Sequence, residues 1–230
     1  MVLYICCIRK LISPLLVKDG FLMKSSVLFG KGDLAIFTGK LLIDLGYEIK
    51  FVIPTIPEPN WSGSLFNWAK ENNLSIFIPD GVKTLPNENF DLGISIYYDK
   101  IIRKPDILKF DKLLNLHNSP LPRYRGVSPI NWALKNGEYQ HGITLHEITP
   151  EIDQGPIVAQ ILFSIFPDFE EVKDVYNRCL ALGQTLLTEY LKNIDTIVPA
   201  PQNNIHATYY TNRDKEKLGE RSNWIRNNVK

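Results

Sequence analysis

The sequence predicts an α/β fold, a Rossmann-like sheet, parallel or mixed, with a short C-terminal appendage. Runs rich in Ile, Leu, Val and Phe alternate with helix-like stretches over the first hundred residues, and that alternation builds parallel sheets. Glycine, proline and asparagine sit between the runs as turn signals. A long amphipathic stretch then gives way, at Gln202, to a polar tail.

Residues 1–22 are read apart from the rest. The apolar run 2–8 has no basic residue ahead of it and is interrupted by Arg9 and Lys10, which argues against a signal peptide. Met23 to Gly30 reads as the opening of a first strand, so 1–22 is expected to be a leader or an extra N-terminal segment, 23–200 the catalytic domain and 201–230 a small appendage. A strand is expected at 27–30, a helix at 33–45 ended by Gly46, and a strand at 47–53. A helix at 62–72 and strands at 74–78 and 91–98 follow. The run around Asn115 and His117 is a further strand. Ser128 as N-cap and Pro129 at the first helical position start a helix that runs to about Lys135, where Asn136 and Gly137 stop it. Strands at 142–148 and 157–165 flank a loop holding Asp153. Asp168 is expected to cap the long helix, with Glu171 as its capping-box partner. Val172, Val175, Tyr176, Cys179, Leu182, Leu186 and Tyr190 form its apolar stripe.

Composition narrows the function. The net charge of +1 over 230 residues supplies no global field for polyanions, so no nucleic-acid partner is expected. No apolar run reaches the ~20 residues of a membrane span. Cys6, Cys7 and Cys179 form an odd count without metal spacing, which suits a reducing cytoplasm better than a disulfide scaffold. Cys179 is read as core. His141 and His146 lack a second ligand at metal spacing, and no metal is expected.

Asn115 and His117, two apart on a strand, leave the same face and converge on one site. Pro120 and Pro122 then force the chain into a shaped loop, and Asp153 stands in a loop turned sharply by Gly155 and Pro156. A carboxylate near an imidazole can orient it and favour its charged form. The plain alternative is a hydrogen-bonded pair supporting the proline loop. Gly30-Lys31-Gly32-Asp33-Leu34-Ala35 fits a dinucleotide fingerprint, but the second strand ends in Pro54-Thr55-Ile56 without the acidic residue that fingerprint needs. A nicotinamide-dependent oxidoreductase is the alternative from another class. The same turn also offers Lys31 and a helix N-terminus to a diphosphate.

Asn115-x-His117, the Leu121-Pro122-Arg123-Tyr124-Arg125-Gly126 loop and Asp153-x-Gly155 together resemble the folate-dependent formyltransferases. These include the enzymes acting on methionyl-tRNA, on glycinamide ribonucleotide and on sugar nucleotides. The resemblance implies Asn115, His117 and Asp153 as the catalytic trio and formyl-tetrahydrofolate as formyl donor. It implies a pterin site at Tyr98, Asp99, Lys100, Ile101 and Ile102, closed by Thr149 and Ile152. Asn131 to Glu138, followed by Gly142 to His146, looks most like the sugar-nucleotide branch. Its substrate would be a 4-amino-4-deoxy sugar on dTDP or UDP, such as dTDP-4-amino-4,6-dideoxyglucose, made for surface polysaccharide such as O-antigen in lipopolysaccharide. Lys31, Asn118, Tyr124, Arg125 and Tyr209 would hold that substrate, and a homodimer is allowed. The purine-pathway and tRNA enzymes are the alternatives within the family.

Overall fold

The computed structural model of the protein describes residues 17–18, 21–79 and 84–220. The expected leader, with Cys6 and Cys7, lies largely outside the described residues. A short antiparallel ribbon pairs β1 (Val17–Lys18) with β2 (Phe21–Leu22). The central sheet begins with β3 (Ser25–Gly30), followed by α1 (Gly32–Asp44), β4 (Glu48–Pro54) and α2 (Leu65–Glu71). β5 (Phe90–Ile96), α3 (Lys104–Ile107) and β6 (Phe110–His117) come next. The chain then forms β7 (Arg125–Gly126), α4 (Pro129–Lys135), β8 (Gln140–Glu147), β9 (Ile157–Ser164), α5 (Val172–Leu191) and β10 (Tyr209–Tyr210).

Six strands make one mixed sheet in the order β4-β3-β5-β6-β8-β9. β3 through β6 run parallel, whereas β8 and β9 are antiparallel. The parallel strands are apolar on both faces because helices and loops cover both. Leu28, Ile94, Ile96, Leu114, Leu116 and Ile143 are almost wholly buried in one core with Leu34 and Leu42 of α1 and Val175, Cys179 and Leu186 of α5. Val27, Phe29, Ile53 and Phe90 fill a second core on the other face. Cys179 is a core side chain, and burial pushes its thiol up to about 12. Among the described residues no helix is long and apolar enough to cross a membrane.

Three expected elements differ in detail. The strand at 74–78 is reduced to a bridge between Ile76 and Val52, because Ser75 and Phe77 reach the sheet only through the two backbone groups of Val52. The helix at 62–72 starts at Leu65. Ser64 caps Asn67 N–H, and the Glu58 carboxylate accepts from Leu65 N–H at 2.7 Å, so this end is fixed by an acid seven residues upstream. The long helix is capped by Glu171 and Asp174, not Asp168. Asp168 instead accepts from the Tyr139 hydroxyl, and its backbone precedes a turn that closes at Phe169 and Glu170.

Gly30 shows why the first turn is glycine-rich. A Cβ there would stand 2.2 Å from the Ile96 carbonyl oxygen, so the turn's glycine answers a backbone crossing inside the sheet. Gly39, in mid-helix, is a second close approach. A Cβ would lie 2.3 Å from Cη2 of Trp68, a ring that is itself 7% exposed. Gly→Ala inside a helix ordinarily gains about 1 kcal/mol, whereas overpacking costs about 1–3 kcal/mol. With a rigid indole as neighbour, the second effect decides the sign. Gly39→Ala is expected to lower the melting temperature by about 2–6 °C; a rise in the calorimetric midpoint would show that Trp68 gives way.

Candidate active site

β6 delivers Asn115 and His117 to the carboxyl edge of the parallel strands, where open α/β sheets place their ligand sites. Across the antiparallel seam, Asn115 faces His146 and His117 faces Thr144. Asn115 Nδ2 lies 3.1 Å from His146 Nε2, and His146 Nδ1 lies 2.8 Å from the Glu147 carbonyl. A carbonyl only accepts, so Nδ1 of His146 carries the hydrogen and Nε2 accepts from Asn115. His146 therefore fixes which way the Asn115 amide faces. His117 is oriented in the same manner. Its Nε2 donates to the Tyr124 carbonyl at 2.9 Å, leaving Nδ1 as the nitrogen that can exchange a proton.

Asp153 completes the group from the loop between β8 and β9. Its Oδ2 lies 3.7 Å from His117 Nδ1 and its Oδ1 lies 3.6 Å from His146 Nε2. Gly126 N–H donates to Oδ2 at 2.7 Å. The side chains of His117 and Asp153 are 10% and 12% exposed. Burial works against the Asp153 charge, but His117 and the Gly126 N–H outweigh it and hold the carboxyl well below the usual carboxylate range. Asp153 thus stays ionised at neutral pH. That fits a fixed negative partner for an imidazole.

The Pro loop behind these groups is pinned through several of its backbone carbonyls. Thr144 donates its hydroxyl to the Ser119 carbonyl, and Gln160 Nε2 donates to Leu121 O at 2.9 Å. Ser119 donates to Arg123 O, while His141 Nε2 donates to Asn118 O at 2.9 Å.

A cavity of about 610 Å³ opens onto the trio. Tyr98, Asp99, Lys100, Ile101, Ile102, Thr149 and Ile152 all line it, as do Asn118 and Tyr209. Three expected substrate residues are placed elsewhere. Lys31 pairs with Asp99 at 3.3 Å and does not line the cavity, because β5 sets the Asp99 carboxylate within reach of the α1 turn. The Tyr124 ring is 2% exposed, its hydroxyl donating to Glu138 at 2.6 Å. Arg125, 6% exposed, spends its guanidinium on Gln202 and Asn204. Arg123 pairs with Glu138, so neither arginine of the loop is free for a phosphate.

Two features were missed in the sequence. His146 belongs to the site, and only the register between β6 and β8 could have placed it opposite Asn115. The tail returns: β10 pairs in parallel with β7, bringing Tyr210, Thr211, Asn212 and Lys215 to the cavity wall. Repeated aromatics in Thr208 to Thr211 were the available signal. Tyr210 stacks between Trp132, at 4.1 Å, and Tyr124, at 5.9 Å.

Among known proteins, the formyl transferase family model matches residues 59–191. Methionyl-tRNA formyltransferase of Pseudothermotoga lettingae is 35% identical over 145 residues, covering 61% of this chain; the chain spans 47% of that protein. Among solved structures, the sugar 3N-formyl transferase WlaRD, in the presence of dTDP and 5-N-formyl-THF, superposes with a TM-score of 0.73 at 28% identity. That match covers 85% of this chain and 72% of WlaRD. An N-formyltransferase from Helicobacter canadensis, in complex with folinic acid and dTDP-3-aminofucose, gives 0.72 at 28%, covering 84% and 72%.

His141 carries the acid sensitivity of this region. Burial holds its imidazole down at about 4, the Asn118 hydrogen bond opposes that, and His117 and Arg123 add to the lowering. The unfolded chain takes up a proton below pH 6.5 that the folded protein refuses, so stability falls as pH drops from 6.5 towards 4. Urea unfolding is expected to lose about 2 kcal/mol between pH 7 and pH 5 from this group. His141→Phe should flatten that slope, and an unchanged slope in the variant would assign the loss to another group.

Proposed function

Because this chain belongs to the formyl transferase family, we propose that it moves a formyl group from formyl-tetrahydrofolate to the amino group of a nucleotide-linked amino sugar. One observation carries this reading. Asn115, His117 and Asp153 meet at a single cavity, one wall of which is apolar while the returning C-terminal segment forms another. Ile101, Ile102, Ile148 and Ile152, with the backbone between Tyr98 and Ile102, offer a flat aromatic ring an apolar slot with exposed amide groups. A folate fits such a slot.

The folate supplies the formyl carbon; the bond from that carbon to the folate nitrogen breaks, and the nitrogen keeps the electron pair and takes up a proton. The protein handles charge and protons. As an amine attacks the formyl carbon, negative charge gathers on its oxygen. The Asn115 amide, held by His146, has a second N–H to donate there, a contribution worth about 3 kcal/mol where such donors have been removed. His117 Nδ1 takes the amine's proton and passes it on to the folate nitrogen. Asp153, fixed in its ionised form, stabilises the imidazolium in between.

For the acceptor, we favour a 3-amino sugar on dTDP over the 4-amino sugar expected from the sequence. Both solved relatives named above are described with 3-amino sugars or dTDP. They span more of this chain than the tRNA enzyme does. The sequence likeness to methionyl-tRNA formyltransferase supports the second reading, formylation of methionyl-tRNA. A sugar product would enter surface-polysaccharide assembly. Lys100 and Lys215 are the lysines lining the cavity. Lys215, on the same wall as Tyr209, is assigned to the diphosphate in place of Lys31 and Arg125.

Purified protein with formyl-tetrahydrofolate should formylate dTDP-3-amino-3,6-dideoxyhexoses in a panel that also contains dTDP- and UDP-4-amino sugars and methionyl-tRNA, with the products read by mass spectrometry. Transfer to methionyl-tRNA alone would sink the sugar assignment. His117→Asn and Asp153→Asn are each expected to lower kcat by about a hundredfold or more with matched melting curves. Lys215→Ala is expected to raise KM for the sugar nucleotide by about tenfold while that for the folate stays put; equal changes in both would remove Lys215 from the diphosphate.

A further inference from the structure

Asp153 is a non-glycine residue at φ 54°, a conformation that costs free energy and persists only where surrounding contacts impose it. Two residues on, Gly155 approaches the chain so closely that a Cβ would stand 1.8 Å from the Glu147 oxygen. The backbone of Asp153 is therefore held by contacts beyond its own loop, and two of them come from the tail.

Gln202 is the link. Its Nε2 donates to the carbonyls of both Asp153 and Gly155, each at 2.8 Å. Its Oε1 accepts from Arg125 Nε at 3.1 Å and Nη2 at 2.6 Å. Two carbonyls require N–H groups and a guanidinium requires an oxygen, so only one orientation of the amide satisfies all four contacts. Arg125 is itself held by Asn204 Oδ1 at 2.7 Å and, through its backbone N–H, by Thr208 O at 2.9 Å. The next residue in β7 is Gly126, whose N–H binds the Asp153 carboxylate. Gln202 lies eleven residues beyond the end of the segment matched by the family model.

We propose that Gln202 is a positioning residue, tying the Asp153 loop to β7 so that the carboxylate stays on the Gly126 N–H and in front of His117. The tail from 200 to 210 thereby shapes the reacting group as well as a wall of the cavity. This rests on the reading of Asn115, His117 and Asp153 as the reacting trio, and it adds to that reading a residue which touches neither substrate.

The test separates the two. The groups facing Asp153 are His117 from β6, His146 from β8 and Arg125 from β7. In Gln202→Leu the loop loses both donated hydrogen bonds, and the carboxylate moves off the Gly126 N–H. In full-length protein labelled with 13Cγ-aspartate, the Asp153 resonance, assigned by its loss in Asp153→Asn, should titrate about one pH unit or more higher in Gln202→Leu than in the wild type. The kcat for formyl transfer should fall about tenfold or more while KM for the folate changes less than about twofold. Gln202→Met serves the same comparison should the leucine variant not fold. An unmoved Asp153 titration in a folded variant overturns the positioning role without touching the assigned reaction. Failure of the wild type to transfer formyl to any acceptor, with the titration shifted as expected, overturns the reaction and leaves the positioning role standing.

Discussion

The antiparallel register between β6 and β8 is the constraint on which the site depends. It sets Asn115 opposite His146 and His117 opposite Thr144, so one pair joins a donor to the group that aims it, and the other joins an imidazole to the strand that pins the Pro loop. Side chains alternate along a strand, so a slip of β8 by one residue would send Thr144 and His146 to the other face of the sheet, away from Asn115 and His117. Several observations explain why the register does not slip. Leu114, Leu116, Ile143 and Leu145 are buried at the alternate positions, and a slip would expose them at about 1.5–3 kcal/mol each. The chemistry is held in place by the hydrophobic residues between the polar ones.

The same geometry decides the charge of the site. A carboxylate as buried as Asp153 would ordinarily take a proton, since removing it from water penalises the ionised form. Here the His117 imidazole and a backbone N–H converge on it, and their attraction exceeds the desolvation cost. The result is a fixed negative charge facing the one nitrogen of His117 that the Tyr124 carbonyl leaves free. His141, a few residues from His146 and equally buried, meets no carboxylate and is held neutral. Of these two histidines on one strand, only His146 faces the Asp153 loop.

What could be read in the sequence was what depends on neighbours along the chain. The strand period placed Asn115 and His117 together, Pro129 and the Asn136-Gly137 stop placed α4 although the Ser128 side chain makes no capping hydrogen bond, and the α5 stripe identified Cys179 as core. All of these are local properties. What could not be read depends on register and on chain return. His146, read only as lacking a metal partner, has its real partner thirty-one residues upstream across a seam. Arg125 and Tyr124 resembled ligand residues because they stand beside the Pro loop. Their partners, Gln202, Asn204 and Glu138, were invisible to any pattern of spacing. Lys31 was drawn to a phosphate by its position at a helix start, whereas the structure gives it an aspartate sixty-eight residues away.

The tail is the clearest instance. Its polar composition reads as a surface appendage, and most of its described residues are exposed. Its anchorage rests on few groups. Tyr210 enters between Trp132 and Tyr124, two stacked pairs that each add about 1 kcal/mol beyond their buried area. Two-residue β10 adds hydrogen bonds to β7, with Val127 N–H donating to Tyr210 O at 2.9 Å. The two constraints lock one another, since Gly126 has no Cβ and one would lie 2.1 Å from the Tyr210 oxygen. A short stretch held at such a point can carry side chains to the cavity without a core of its own. The β6, β8 and Pro-loop framework would then supply the transfer step, while Tyr209, Asn212 and Lys215, borne on a separately anchored strap, would be free to differ with the acceptor.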